Sequence, residues 1–415
     1  MEKEKVIVVG CFTGEEEVEF KNSMNELKRL AITAGGEVVL EVTQRLNRPT
    51  NSFYIGKGKM EELGRFAEEL RADVIIFNDE LTPTQMKNLQ EYLDGRIIDR
   101  TQLILDIFAM RANTREGKLQ VELAQLEYLL PRIVGKGIHL SRLGGGIGTR
   151  GPGETKLETD RRHIRKRIHD IKHQLEQIVK HRDQYRKKRK VYGAFQVALV
   201  GYTNAGKSTL FNQLTNEDTL EEDLLFATLD PLTRKMTLPS GFQILITDTV
   251  GFIEKLPTTL VAAFRSTLEE VKEADFILHV IDSSHPQYEM HEKTVYQLLE
   301  ELDAISIPRL AVYNKKDVIN ESFVPSLGEN YVKVSAFDPN DINTLKEMIE
   351  QELKRQWSFY DIFLSLGEMR LFHQLKEETI VVYDQFEEEE RKYHVRGYIR
   401  KEHPLYIILS NKGER

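Results

Sequence analysis

Gln196-Val-Ala-Leu-Val-Gly-Tyr-Thr-Asn-Ala-Gly-Lys-Ser208 carries an apolar run straight into a glycine-bounded turn that ends in Lys-Ser. Residues 201–208 fill the pattern G-x-x-x-x-G-K-[ST]. A buried strand that delivers the chain to such a turn exposes successive backbone N–H groups, and the helix that follows adds its positive end, so phosphate oxygens are cradled there. Gly201, Tyr202, Thr203, Asn204, Ala205 and Gly206 form the expected cradle, Lys207 sets its ammonium on the β- and γ-phosphates, and Ser208, followed by Thr209, offers its hydroxyl to Mg²⁺. A second apolar run, Pro308 to Tyr313, leads into Asn314-Lys315-Lys316-Asp317. A carboxylate at Asp317 can accept from both N1–H and the 2-amino group of guanine, a pair of donors that adenine lacks. With Asn314 and Lys315 beside it, the expected ligand is GTP or GDP.

Further elements follow in the order such a site needs. Asp248-Thr-Val-Gly251 ends the apolar run Phe242 to Thr247, which places Asp248 to hold Mg²⁺ through water and the Gly251 N–H to reach the γ-phosphate. In Phe226-Ala-Thr-Leu-Asp230, Thr228 is the expected switch threonine, with Phe226 beside the nucleotide; Thr219 and Thr233 are alternatives. Ser335-Ala336, after the short run Tyr331 to Val334, fits the loop whose backbone N–H meets the guanine O6. Strands near 197, 235, 242, 276, 308 and 331, separated by helical stretches, predict an α/β fold with a doubly wound parallel sheet that collects these loops at one edge. Lys207, Thr228 and Gly251 are the expected catalytic residues, and Ser208, Thr228 and Asp248 the expected metal ligands.

The 415 residues leave room for further domains. The spacing predicts an N-terminal α/β domain at 1–112, a basic helical hairpin at 113–192, the GTPase domain at 193–355 and a small α+β domain at 356–415. The single Cys11 excludes an intramolecular disulfide and reads as a packed thiol in a reducing compartment. The charged start Met1-Glu-Lys-Glu-Lys5, the mean hydropathy of −0.42 and the lack of a long apolar run give no signal peptide and no transmembrane segment, so a cytoplasmic protein is expected.

The formal net charge is −8, yet Asp160 to Lys190 holds 13 Lys and Arg against 4 Asp and Glu, a local balance of +9 that leaves −17 elsewhere. Such asymmetry suggests a nucleic-acid partner. Leu157, Ile164, Ile168, Ile171, Leu175 and Ile178 give that stretch one apolar seam at helical spacing, and Leu119, Leu123, Leu126 and Leu130 give an upstream helix another, stopped by Pro131. Two antiparallel helices would bury the seams and turn the basic faces outward. Leu143 to Glu154 between them has glycine at 144, 145, 146, 148, 151 and 153, with Arg142, Arg150 and Lys156 interspersed, and reads as an RNA-probing loop. In the N-terminal domain, Gly56-Lys-Gly-Lys59 reads equally as a phosphate turn or a plain strand-to-helix turn. Glu387 to Glu390 reads as a solvated hairpin tip.

The layout resembles the HflX family of ribosome-associated GTPases, on the segment Arg48-Pro-Thr-Asn-Ser-Phe-Tyr-Ile-Gly-Lys-Gly-Lys59, the glycine loop from Gly144 to Lys156 running into Leu157-Glu-Thr-Asp-Arg-Arg162, and the nucleotide signatures. The resemblance spans essentially the whole chain. It implies binding to the large ribosomal subunit and its rRNA, and splitting of stalled or idle ribosomes into subunits. A monomer is expected. The rival reading is an accessory GTPase of tRNA or rRNA modification or of ribosome assembly. Phe252 stands where Ras-type switches carry the glutamine that orients attacking water, so slow intrinsic hydrolysis is expected. Asn204 resembles the asparagine that positions K⁺ in cation-activated GTPases, which implies K⁺ beside the β- and γ-phosphates.

Overall fold

The computed structural model describes all residues except 1–2, 134–151, 192–194, 217–224, 227, 254–269, 320–322, 327–329 and 414–415. Most of the glycine loop and Thr219 therefore lie outside the described residues. The chain divides into two compact units, one built from Met1–Lys180 with Asp223–Asp230, the other from His181–Glu222, Pro231–Ile253 and Ser266–Arg415.

The first unit starts with β1 (Lys5–Phe12), α1 (Glu17–Thr33), β2 (Glu37–Arg45), α2 (Lys57–Leu70), β3 (Val74–Phe77), α3 (Pro83–Tyr92), β4 (Arg96–Asp99) and α4 (Arg100–Arg111). The four strands are parallel in the order β2-β1-β3-β4. β1 and β3 read as continuous apolar runs because helices cover both faces of the sheet. Connections diverge between β1 and β3, the crevice where a parallel sheet ordinarily takes a ligand. Here the buried Tyr54 fills it, its hydroxyl accepting from Cys11 N at 3.1 Å and donating to the Asp79 carboxylate.

Gly56-Lys57-Gly58-Lys59 is the start of α2, with Gly56 N donating to Gln44 Oε1 at 2.7 Å and Lys59 paired with Glu62 at 3.0 Å, a strand-to-helix turn held by its own neighbours. Helix α4 follows β4 without a loop, capped by the Asp99 side chain, which accepts from Gln102 N at 2.9 Å. Sequence periodicity misses α4 because Leu103, Ile104, Leu105, Ile107 and Phe108 are all buried, so apolar residues surround most of the helix and leave no stripe.

The hairpin consists of α5 (Arg115–Leu129) and α6 (Pro152–Val191). Leu119, Leu123 and Ile171 bury against each other, with Leu126, Ile168, Leu175 and Ile178 packed around them, so the two seams meet at these seven residues. The helices run antiparallel, Arg115 donating to Gln174 at 3.4 Å, Arg167 pairing with Glu122 at 2.6 Å and Arg161 donating to Ile133 O at 2.9 Å, while the Arg167 pair and that of Lys172 with Glu127 at 2.8 Å neutralise part of the basic run. Arg162, Arg165 and Lys166 remain exposed.

Leu225–Asp230 folds onto this first unit. Phe226, at φ +57°, is buried with its ring 4.6 Å from that of Phe108, edge to face. Leu225 N donates to Thr33 Oγ1 at 3.3 Å, and Asp230 Oδ2 accepts from the N–H groups of Asn113 and Thr114, each at 2.9 Å, at the start of α5. A carboxylate there satisfies orphan amides and complements the helix dipole. Gly117 makes the approach possible, since a Cβ on it would stand 2.4 Å from Asp230 Oδ1.

The second unit runs β5 (Gln196–Gly201), α7 (Lys207–Thr215), β6 (Leu232–Thr237), β7 (Gln243–Asp248), β8 (Phe276–Asp282), α8 (Tyr288–Glu301), β9 (Arg309–Asn314), β10 (Tyr331–Lys333) and α9 (Pro339–Gln356). Its six-stranded sheet has the order β10-β9-β8-β5-β7-β6. All neighbours are parallel except β6 and β7, which the short turn Leu238 to Phe242 forces into an antiparallel hairpin at the sheet edge. Then come β11 (Ser358–Ser365), α10 (Met369–Glu378), β12 (Ile380–Glu387), β13 (Lys392–Ile399) and α11 (Pro404–Gly413), with sheet order β11-β13-β12. Trp357, between α9 and β11, packs its ring 5.6 Å from that of Phe195 and 5.5 Å from that of Phe242, in the core of the six-stranded sheet.

Two outcomes test this packing. Asp230→Ala removes the carboxylate at the head of α5 and is expected to destabilise the first unit by about 1–2 kcal/mol in urea titration; an unchanged midpoint would deny the contact its role. His279, buried on β8, has its imidazole pushed down to about 3 by burial, with the Arg309 and Lys207 charges adding to the effect. The unfolded chain thus takes a proton near pH 6.5 that the folded chain refuses until about 3. Stability is lost as pH falls through that window, by about 2 kcal/mol from this group at pH 5. His279→Gln is expected to flatten the loss in unfolding midpoints compared at pH 7 and 5, and an equal loss in both proteins would refute the assignment.

Candidate nucleotide-binding site

The cradle begins where β5 ends. A Cβ on Gly201 would stand 2.2 Å from Val280 O of the neighbouring β8, so the strand can lie this close only with glycine. The loop then turns through Asn204 at φ +61° and Gly206 at φ +87° into the first turn of α7. Asparagine and glycine tolerate this left-handed backbone where most side chains are strained. A Cβ on Gly206 would also stand 2.2 Å from Asn314 Nδ2. Through that gap Asn314 reaches across from β9, Nδ2 donating to Ala205 O at 2.9 Å and Oδ1 accepting from Ala336 N at 3.2 Å. One buried amide therefore ties the phosphate turn to the Ser335-Ala336 loop.

Lys207 is buried, with Nζ donating to Gly201 O at 3.1 Å and Tyr202 O at 2.8 Å. Burial pushes its pKa down to about 8, partly opposed by Asp248. A polyphosphate would meet that ammonium and favour its charged form. Ser208 Oγ donates to Asp248 Oδ2 at 2.7 Å, so an alcohol and a carboxylate converge beneath the cradle, an oxygen set suited to a hard cation such as Mg²⁺. Thr209, next on α7, is half-buried. The half-buried Asn204 adds an amide at the turn, a second oxygen donor that a monovalent cation could use.

The Asp248-to-Gly251 segment is stitched to the cradle by backbone. Phe252 N donates to Gly201 O at 3.1 Å and Thr203 N to Phe252 O at 2.7 Å. A Cβ on Gly251 would come within 2.8 Å of Thr203 Cγ2 and 3.1 Å of Lys207 Nζ. Thr203 Oγ1 is buried with no hydrogen-bond partner among the described residues. An unmet buried hydroxyl costs about 1–3 kcal/mol. Tyr202 lies on the other flank, its ring stacked on His291 at 3.8 Å and 6°.

On the base side, Lys315 at φ +61° turns the chain so that its ammonium pairs with Asp282 at 2.7 Å, while Asp317 stays exposed in the following 3-10 turn. Asp341 accepts from Ser335 N at 2.8 Å and pairs with Lys316 at 2.6 Å, holding the Ser335 loop against the Asn314 strand end. A guanine O6 arriving there would compete with Asn314 for the Ala336 N–H. Asp282, Asp341 and His291 escaped the sequence reading, because each acts by reaching a partner distant in the chain; Asp282 alone gave a signal, as an acid closing an apolar strand. Thr228 and Phe226 belong to the Leu225–Asp230 segment of the first unit, Thr228 half-buried. Thr233 lies in β6 with its hydroxyl 2.9 Å from that of Thr247, a cross-strand pair.

Comparison with known proteins agrees with this geometry. Residues 21–109 match the GTP-binding GTPase N-terminal family, 111–189 the GTP-binding GTPase Middle Region and 196–315 the 50S ribosome-binding GTPase family. The chain is 55% identical to GTPase HflX of Alkalihalophilus pseudofirmus over 99% of its own length and 97% of that protein. It is 52% identical to GTPase HflX of Caldanaerobacter subterraneus over 93% and 89%. Among solved structures, a GTP-binding protein from Sulfolobus solfataricus in complex with GDP aligns over 83% of this chain and 97% of that one, with 25% identity and a TM-score of 0.44. With its N-terminal, middle and nucleotide-binding segments all accounted for, the chain is a GTPase and belongs to the HflX family.

Proposed function

We propose that this GTPase binds the large ribosomal subunit in its GTP form, splits stalled or idle ribosomes in the cytoplasm, and lets go after hydrolysis. The observation that carries the reading is the pairing of a nucleotide site, organised by Asn314, with an antiparallel hairpin that keeps Arg162, Arg165 and Lys166 exposed on an otherwise acidic chain. Exposed basic side chains on a rigid helix neutralise phosphates and release counterions, which gives affinity for rRNA. The matched 50S ribosome-binding GTPase family supports the same partner.

Within the site, Asp317 reads the guanine, Asn314 holds the base loop and phosphate turn in register, Lys207 neutralises the β- and γ-phosphates, and the Gly251 N–H meets the γ-phosphate. Ser208, Thr228 and Asp248 would hold Mg²⁺, which would supply positive charge to offset that of the phosphate oxygens. Asn204 would help hold K⁺, which would supply positive charge where an arginine otherwise does. Thr228 lies between Phe226 and Asp230, both anchored on the first unit.

Asp317→Asn is expected to weaken GTP binding by about 100-fold or more and to shift preference to xanthosine triphosphate, whose C2 carbonyl an amide N–H can meet; retained GTP preference in a nucleotide competition assay would refute the base assignment. Substituting Arg162, Arg165 and Lys166 together by Gln is expected to weaken pelleting with large subunits and to reduce the slope of log affinity against log salt by about 2–3, with GTP binding unchanged. Loss of GTP binding in that variant, or an unchanged slope, would deny the hairpin its role. Hydrolysis is expected to rise with large subunits and to be faster in K⁺ than in Na⁺ at equal ionic strength, and indifference to both would sink that part of the mechanism.

A further inference from the structure

The three-stranded sheet of β11, β13 and β12 leaves one edge unguarded. β11 bonds to β13 on one side only, and on its other side the main chain of residues 358–364 meets no partner among the described residues. An open row of N–H and C=O groups is a template for another strand, and proteins ordinarily blunt it with a bulge, a proline or charges. The opposite edge is blunted in this way: β12 slips register between Val381 and Tyr383 and carries Asp384 and Glu387. β11 pairs without a slip along all 8 of its residues, has no proline and bears one charge, Asp361.

Alternation sorts the β11 side chains onto two faces. Tyr360, Ile362 and Leu364 are buried in one cluster with Leu375 of α10 and Leu405 of α11. Phe359 and Phe363 lie on the other face, 55% and 41% exposed, with Asp361 between them. The Phe359 ring stands 5.4 Å from that of Tyr398, the Phe363 ring stacks on His394 at 4.4 Å and 18°, and Asp361 lies 2.6 Å from His394 Nε2 and 3.1 Å from Arg396 Nε. Side chains held by such contacts lose little further freedom when a partner docks on them. The Asp361 side chain is still 43% exposed, and its carboxylate has lone pairs for a further donor.

We propose that the β11 edge takes up an extended segment of a partner protein as an added strand, whose residues on the open face run apolar, basic, apolar at alternate positions. Main-chain hydrogen bonds supply the affinity and the three side chains the selection. The apolar residues lie beside Phe359 and Phe363 and the basic one beside Asp361, close enough to interact across the strands. Because that pattern is symmetric, it holds whether the added strand runs parallel or antiparallel. Two other occupants fit less well. A nucleic acid has no peptide groups to match the edge, and its phosphates would meet Asp361, Glu387 and the run Glu388 to Glu390 in the turn between β12 and β13. A second copy of the chain that set Phe359 against Phe363 would also set the two Asp361 carboxylates opposite each other, and like charges so placed are destabilising.

Full-length protein is titrated into the peptide Thr-Val-Thr-Lys-Thr-Val-Thr, labelled with fluorescein at its amino end and amidated at the other, and binding is read by anisotropy. The peptide is expected to bind saturably and about fivefold more tightly than its counterpart with Glu in place of Lys, and Asp361→Asn is expected to erase that preference. Two further peptides carry N-methyl groups on alternate amides, one set in each. One of them is expected to lose affinity by about tenfold or more and the other to bind as before, since only every second N–H of an added strand faces its neighbour. Absence of saturable binding, equal behaviour of the two methylated peptides, or a Lys preference that survives Asp361→Asn overturns the proposal, and the methylated pair decides it even where that variant fails to fold. Displacement of the peptide by oligouridine overturns it in favour of RNA, and a protein dimer that the peptide dissociates in sedimentation equilibrium overturns it in favour of a second copy.

Discussion

The Asn314 side chain is the interaction on which the nucleotide site depends. It is buried at the end of β9, and its two polar atoms are spent on backbone groups of two different loops, Ala205 O of the phosphate turn and Ala336 N of the base loop. A buried amide with both ends satisfied is rigid, because releasing either end leaves a polar group unmet in a low-dielectric surrounding. The spacing between base and phosphate pockets is thereby set by one side chain. Glycine at 206 is a condition of it, since any Cβ there would occupy the space of the Asn314 amide.

Around that tie, acidic side chains act as fasteners. Asp341 holds the Ser335 amide and Lys316, Asp282 holds Lys315, and Asp248 takes the Ser208 hydroxyl. Each is a charged acceptor bonded to donors that the turns would otherwise leave unmet, and such bonds are stronger than neutral ones. In the first unit Asp230 does the same for the amides that open α5. The negative charge of the chain is thus partly structural, while Asp160 to Lys190 carries a local balance of +9.

The family named from the sequence is the family the comparisons establish, and the seams pack together at Leu119, Leu123 and Leu126 on one helix and Ile168, Ile171, Leu175 and Ile178 on the other. The Gly56-to-Lys59 string, open between phosphate turn and plain turn, starts α2 with its lysine at 59 held by Glu62. The antiparallel β6 follows from the shortness of the turn before β7, a constraint visible in the sequence but not in the period of its apolar residues. Helix α4 left no period at all, because it is covered on most of its surface.

The sequence by itself determined the ligand class, the order of the strands along the chain and the helical hairpin, because each rests on short-range rules: glycine where φ turns positive, apolar residues at a fixed period, an acid placed one turn after an asparagine. Only the tertiary structure decided that Leu225–Asp230 packs with the first unit, that Thr233 belongs to a cross-strand pair, that Tyr54 fills the N-terminal crevice, and that Phe252 is a core residue whose backbone closes on Thr203. Those facts depend on which distant groups share a buried space. Burial converts an unmet hydrogen bond or a misplaced ring into a large free-energy cost, and that cost is assigned by the packed chain as a whole, not by local order.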